Sequence, residues 1–200
     1  MSEPSIKGSG IKRAVEDVQR LLEEGRVDRD ELEARLAPED LALFDRKILD
    51  GAWYPNESHR RLTELLRDVE GGGRDEYVVQ RGRETAERLL EAGFYRALRL
   101  AESERGSDGA ELVHAVRLML TVSGALYSFG HWSLDGEDPD HLRIVARDAE
   151  ALTDMNRLTA QGFIESFARR VSPQRELRVE SRRLDRDTVE VSIRRLPRRA

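Results

Sequence analysis

At Gly124 the hydrophobic period of this chain changes. Apolar residues recur every three or four positions before it and alternate after it, so a helical part must be followed by a sheet-bearing part. Ile11, Val15, Val18, Leu21 and Leu22 predict a first helix that stops at Gly25, and Asp28 to Leu36 a short second one. After Pro38, the spacing of Leu41, Phe44 and Ile48 predicts a third, closed near Gly51. Trp53-Tyr54-Pro55-Asn56 punctuates entry to a helix with the stripe Leu62, Leu65, Leu66 and Val69, which Gly71 to Gly73 break. Tyr77 to Leu90 is helical again, followed by a short piece from Gly93 through Leu100 and a polar loop ending at Gly109. Glu111 to Val122 is apolar around most of its circumference and predicts a central helix. Beyond Gly124, Leu126 to Trp132 alternates as a strand, Asp135 to Asp140 is a dense turn signal, and Leu142, Ile144 and Ala146 predict the returning strand. A helix from Glu150 to Val171 has Leu152, Met155, Thr159, Phe163 and Phe167 as its inner stripe, with Gly162 beside it marking close approach to the sheet. Leu177 to Arg183 and Thr188 to Leu196 are the last two strands. The expected class is α+β: a helical N-terminal half packed on a C-terminal four-stranded antiparallel sheet of ββαββ order. Residues 1–200 form one domain in this reading, helical through 124 and ββαββ from 125.

Composition removes whole classes of chemistry. Without cysteine there is no disulfide, thiolate zinc site, iron–sulfur cluster or cysteine nucleophile. No segment has the length of a membrane-spanning helix and the N-terminus has no signal-peptide core, so a cytoplasmic protein without a membrane partner is expected. Formal net charge is -5, yet from Glu165 to Ala200 eleven Arg face six Asp and Glu, 11 - 6 = +5. Arg178, Arg182 and Arg194 alternate with apolar residues there, which reads as the solvated face of a half-buried sheet rather than a nucleic-acid footprint.

Short stretches carry a family likeness: Ile6-Lys7-Gly8-Ser9, Leu36-Ala37-Pro38-Glu39, Trp53-Tyr54-Pro55, Gly82 with Tyr95, Tyr127 to Trp132, and Gly162-Phe163. With the ββαββ layout, they make the chain resemble an uncharacterised bacterial family of paralogues well represented in myxobacteria. The layout itself resembles haem-based nitric-oxide/oxygen (haem-NO-binding) sensor domains, the four-vinyl-reductase ligand-binding domain and TRAPP-type tethering subunits. The resemblance implies a sensor whose iron is held by one helical His, at the position of His114 here. It also implies a Tyr-x-Ser-x-Arg run against the haem carboxylates, where this chain reads Arg143-Ile144-Val145-Ala146-Arg147, keeping the Arg and losing Tyr and Ser.

His114 shares its stripe with Glu111, Arg117 and Thr121, an exposed setting; with the lost Tyr and Ser this argues against haem, so no cofactor is expected. His59, His131 and His141 lack metal-ligand spacing on one helix, and no metal site is expected. There is no nucleophile elbow, and neither Gly71 to Gly73 nor Gly8-Ser9-Gly10 is a phosphate loop, so an enzyme is disfavoured. The aromatic residues Trp53, Tyr54, Phe94, Tyr95, Tyr127, Phe129 and Trp132 could line an apolar ligand pocket, of which Trp53, Tyr54, Tyr95, Tyr127, Phe129 and Trp132 are the candidates; filling the core is the favoured alternative. The expected function is a non-enzymatic sensor or adaptor that binds a small apolar ligand or a protein partner, as a homodimer if it self-associates. An enzyme using the same cavity and a purely structural interaction module are the alternatives.

Overall fold

Each element follows from where its apolar residues can hide. In the computed structural model, which describes residues 3–91, 108–138, 140–174 and 176–196, they sort into two compact units. The chain is α+β, with seven helices and six strands among the described residues.

The first unit comprises Met1–Val78 with Leu126–Phe129. It opens with β1 (Ser5–Lys7), which pairs antiparallel with β2 (Trp53–Pro55), Ile6 opposite Tyr54. Between them lie α1 (Gly8–Glu23), α2 (Arg29–Arg35) and the single turn α3 (Pro38–Leu41), and α4 (Asn56–Val69) follows. Ile11, Ala14, Val15, Val18 and Leu21 put one face of α1 into a core shared with Leu32, Leu43, Leu62, Leu65 and Leu66. Gly25 ends the α1 region in the left-handed conformation, φ 68°. Asp28 caps α2 by accepting from the Glu31 amide at 2.8 Å.

The helix expected through Leu41, Phe44 and Ile48 is not formed beyond Leu41. After α3 the backbone tightens to three-residue bonds, Leu43 N to Asp40 O and Phe44 N to Leu41 O. Side chains from elsewhere satisfy the loop instead: Gln19 donates to the Phe44 carbonyl at 2.8 Å and the Leu49 amide donates to the Tyr54 hydroxyl at 3.0 Å. Asp40, fully buried, anchors this stretch. Its carboxylate accepts from the Ala37 amide (2.9 Å) and from Arg61 of α4 (2.5 and 3.0 Å). Burial pushes this carboxyl up, but Arg61, Ser58 and the Ala37 amide outweigh it and hold it below its ordinary value.

The second unit comprises Val79–Ala125 and Gly130–Ala200. α5 (Asp75–Glu91) gives it residues from Val79 onward; α6 (Asp108–Ser123), β3 (His131–Asp138), β4 (His141–Arg147), α7 (Asp154–Val171), β5 (Leu177–Arg183) and β6 (Val189–Arg195) complete it. The ββαββ order gives one antiparallel sheet of spatial order β3-β4-β6-β5. Leu142, Ile144, Leu177, Val179, Val191 and Ile193 cover its inner face and pack with Leu112, Val116 and Met119 of α6 and Ile164 and Phe167 of α7. The strand expected from Leu126 begins instead at His131. Gly124–Leu126 is a 3-10 turn, and Tyr127 bridges to Ile6 of β1 in the first unit. The turn expected over Asp135 to Asp140 is shorter, because β3 runs to Asp138, which pairs with His141.

Gly162 marks a close approach, though to α5 rather than the sheet. A Cβ there would sit 1.8 Å from the Val79 carbonyl oxygen, and one on Gly82 2.2 Å from that of Thr159. Beside this crossing, Arg83 ion-pairs with the buried Glu165 at 2.8 Å. The pieces expected around Gly93 to Leu100 lie outside the described residues.

Gly162→Ala should cost about 3 kcal/mol by forcing α5 and α7 apart, read as a lowered urea midpoint, while Gly51→Ala, where a Cβ meets open space, should leave the midpoint close to wild type. Because the folded Asp40 carboxyl lies below the ordinary aspartate value of 3.8, its stabilisation is present above that value and is lost as pH falls through the folded one. Asp40→Asn should therefore lower Tm at pH 7, and the gap to wild type should close below about pH 4.

Candidate functional site

The residues with chemical interest in the second unit lie on α6 and on the outer face of the sheet. On α6, burying Leu112, Ala115, Val116, Met119 and Leu120 turns His114 outward with Arg117 and Thr121. His114 is exposed and makes no hydrogen bond among the described residues. One turn on, Arg117 reaches Glu137 of β3 at 2.5 Å, so the His114 stripe borders that strand.

Register decides the outer face. Ser133 stands opposite Val145, Val145 opposite Glu190, and Glu190 opposite Arg182, so four strands bring polar side chains to one surface. Arg147 donates to Ser133 Oγ at 3.0 Å and to Asp135 Oδ1 at 2.8 Å, while Arg143 donates to the other oxygen of Asp135. Arg143 also faces Glu190 at 3.7 Å, and Arg182 pairs with Glu190 at 2.9 Å. Glu190 is only 4% exposed, and Val145 and Ser192 are buried beside it. Arg182 and Arg143 flank Glu190 from either side, so its buried carboxylate is paired rather than isolated. Arg147 and Arg143 hold the Asp135 carboxyl below its usual range.

The aromatic candidates are dispersed. Tyr54 is buried in the first core. Trp53 is 48% exposed, with the Lys7 ammonium 3.8 Å above its ring, so it neither fills the core nor lines a closed pocket in that unit. Tyr127 and Phe129 are half-buried with ring centroids 5.4 Å apart. Trp132, on the inner face of β3, packs against the core of the second unit. Tyr95 and Phe94 lie outside the described residues. His59 is buried on α4, and His131 sits 3.1 Å from Asp148 on the exposed end of β3. Among the described residues no cluster of His, Asp and Glu could hold a metal ion, and no helix is long and apolar enough to cross a membrane.

No family model matches the chain, and no curated protein does. Solved structures do match. The Fe(II) unliganded H-NOX protein mutant A71G from K. algicida is 9% identical, covers 96% of this chain and 98% of its own, and has a TM-score of 0.65. A structure solved for probing the function of heme distortion in the H-NOX family is 15% identical over 95% of each chain, TM-score 0.60. An H-NOX protein from S. oneidensis in the Fe(II)NO ligation state is 13% identical, covering 96% of this chain and 100% of its own, TM-score 0.56. The fold is that of H-NOX domains.

That likeness corrects the expectation that the chain takes no cofactor and that haem is disfavoured. Structures matching it along nearly their whole length are of proteins studied as Fe(II) and Fe(II)NO forms and for heme distortion. His114, on the exposed polar stripe of α6, carries an imidazole whose nitrogen is a common metal ligand. The residues present fit the group in two respects. His114 offers a nitrogen donor that no described residue engages, and β4 carries a guanidinium in Arg147, which here donates to Ser133 and Asp135. Asp135, expected in a turn, lies instead at the irregular step of β3 between Leu134 and Gly136 and accepts from Arg143 and Arg147. Its eight- and twelve-residue separations from Arg143 and Arg147 span a hairpin, and that spacing was the available signal.

Removing Trp53 by substitution with Phe should leave Tm within about 1 °C of wild type, because an exposed ring contributes little. The remaining Trp132 emission should shift to the blue and lose sensitivity to iodide quenching.

Proposed function

We propose that this chain is a non-enzymatic sensor domain that binds haem, in which His114 would give the iron its nitrogen donor and Arg147 would pair with a haem carboxylate, and that responds to a small apolar ligand. The observation that carries the reading is His114 itself. It is the histidine of the helix that leads into the sheet, it faces outward, and no described residue occupies its nitrogens. The near-complete match to H-NOX structures supports haem as the group it would meet. When bound, haem would supply an iron that takes diatomic ligands. The chain's own part is to present the imidazole, offer Arg147 to a carboxylate, and keep α6 fixed to the sheet through Leu112, Val116 and Met119 so that the donor does not move.

Titrating the purified protein with haemin and dithionite should give a saturable Soret band. His114→Gly should lose that band shape at unchanged far-UV circular dichroism, and added imidazole should restore it. A wild-type protein that gives no saturable band would sink the reading.

A further inference from the structure

We infer that the turn from Leu49 to Ala52, with the lysines around it, attaches this chain to an anionic lipid surface. The inference stands apart from the haem reading, because every residue in it belongs to the first unit. The Ala52 amide closes the turn by donating to the Leu49 carbonyl at 3.0 Å. The start of α1 braces it, where the Gly8 and Ser9 amides donate to the carbonyls of Ala52 (2.9 Å) and Asp50 (3.1 Å). Ile48 and Tyr54 go into the core on either side of the turn. Leu49 and Trp53, next to them in sequence, are 56% and 48% exposed, two of the three large apolar side chains left in solvent among the described residues. A single exposed leucine is ordinary. A leucine and a tryptophan held out on one braced turn beside lysines are the set that seats at a lipid headgroup layer.

The cations give the chemistry of the partner. This chain has three lysines, Lys7, Lys12 and Lys47, and all three stand at this turn. Lys7 Nζ lies 3.8 Å over the Trp53 ring and donates to the Gly51 carbonyl at 2.8 Å. Lys12 is 3.8 Å from Asp50, and Lys47, two residues before Leu49, is exposed. On the sheet the arginines close on this chain's own carboxylates, whereas Lys7, Arg46 and Lys47 have no carboxylate partner among the described residues. Those three and Lys12 outnumber Asp45 and Asp50 by two around the turn, in a chain whose formal net charge is -5. An ammonium meets phosphate oxygens without a fixed geometry while its stem lies along apolar groups. Two large apolar side chains are too few for a protein partner, whose stable interfaces take roughly 20 residues a side, but enough to sit between headgroups. No helix among the described residues is long and apolar enough to cross a membrane, and surface attachment needs none.

The test is co-sedimentation of the full chain with vesicles of equimolar phosphatidylserine and phosphatidylcholine, against vesicles of phosphatidylcholine alone. Binding should be confined to the anionic vesicles and weaken with added salt. Trp53 emission should shift to the blue on binding, a shift that Trp53→Phe lacks. Arg46→Gln/Lys47→Gln should bind roughly tenfold more weakly, the scale of two cations near such a surface. Leu49→Ser should also bind more weakly, and both variants, changed only at exposed side chains, should keep the wild-type far-UV circular dichroism. No binding to the anionic vesicles, or equal binding to both kinds, overturns the inference. Full binding by Arg46→Gln/Lys47→Gln also overturns it, by moving the contact to another basic face. Binding of polyglutamate that the double variant loses, without binding of vesicles, overturns it in favour of an acidic protein partner. None of these outcomes bears on the haemin titration, so the two readings stand or fall separately.

Discussion

The inner face of the four-stranded sheet has to be dry, and that requirement sets which side chains of the second unit point outward. Leu142 and Ile144 on β4, Val191 and Ile193 on β6, and Leu177 and Val179 on β5 can all reach α6 and α7 in only one register. A slip of one residue would bury Arg143 and expose Ile144. The register that buries the leucines and valines is therefore the one that turns Arg143 and Arg147 outward, beside Ser133 and Asp135. The same burial rotates α6, since Leu112, Val116 and Met119 go in and His114 and Arg117 come out. The outward positions of His114, Arg143 and Arg147 are consequences of packing, and none needs a dedicated scaffold.

The outer face is handled by a different means. Its basic excess suggested either a docking site for an anion or a solvated surface. In the structure the arginines there are largely paired: Arg182 with Glu190, Arg143 and Arg147 with Asp135, Arg178 with Glu180. Glu190 would be costly as an isolated buried charge; Arg182 at 2.9 Å and Arg143 at 3.7 Å offset that cost. Lysine would serve less well, because a guanidinium can donate to two acceptors at once, as Arg147 does to Ser133 and Asp135. The preference for arginine over lysine in this chain, visible in the sequence, thus has a structural use on this face.

What the sequence made legible were features with a local cause. The apolar stripes of α1, α4 and α6, the stop at Gly25, the Asp28 cap and the ββαββ order all follow from spacing within one element or from turn residues. The differences have nonlocal causes. Tyr127 alternates like a strand residue but is claimed by Ile6, more than a hundred residues away, so the sheet begins only at His131. Leu41, Phe44 and Ile48 have helical spacing, yet Asp40 must keep its carboxylate on Ala37 and Arg61, and the backbone turns there. Gly162 announced a close approach without naming its partner, which is the Val79 carbonyl of α5. For the candidate site, His114 and the Arg143 to Arg147 run could be located from their positions, whereas Asp135 could not, because a bulge in β3 carries it out of the turn that its neighbours suggested.

Exposure sets what a histidine is free to do. A histidine that the fold itself holds is buried, as His59 on α4 is at 5% exposure, whereas the pair of His131 with Asp148 at 3.1 Å lies at the surface. One on the outer stripe of a helix, between apolar positions already filled by Leu112 and Ala115, gains nothing from packing and loses little by being bound to something else. Burial explains neither His114 nor Arg147. Both lie outside the cores, His114 on the outer stripe of a helix and Arg147 on a strand where Ser133 and Asp135 accept from it, and the same packing holds both elements in place.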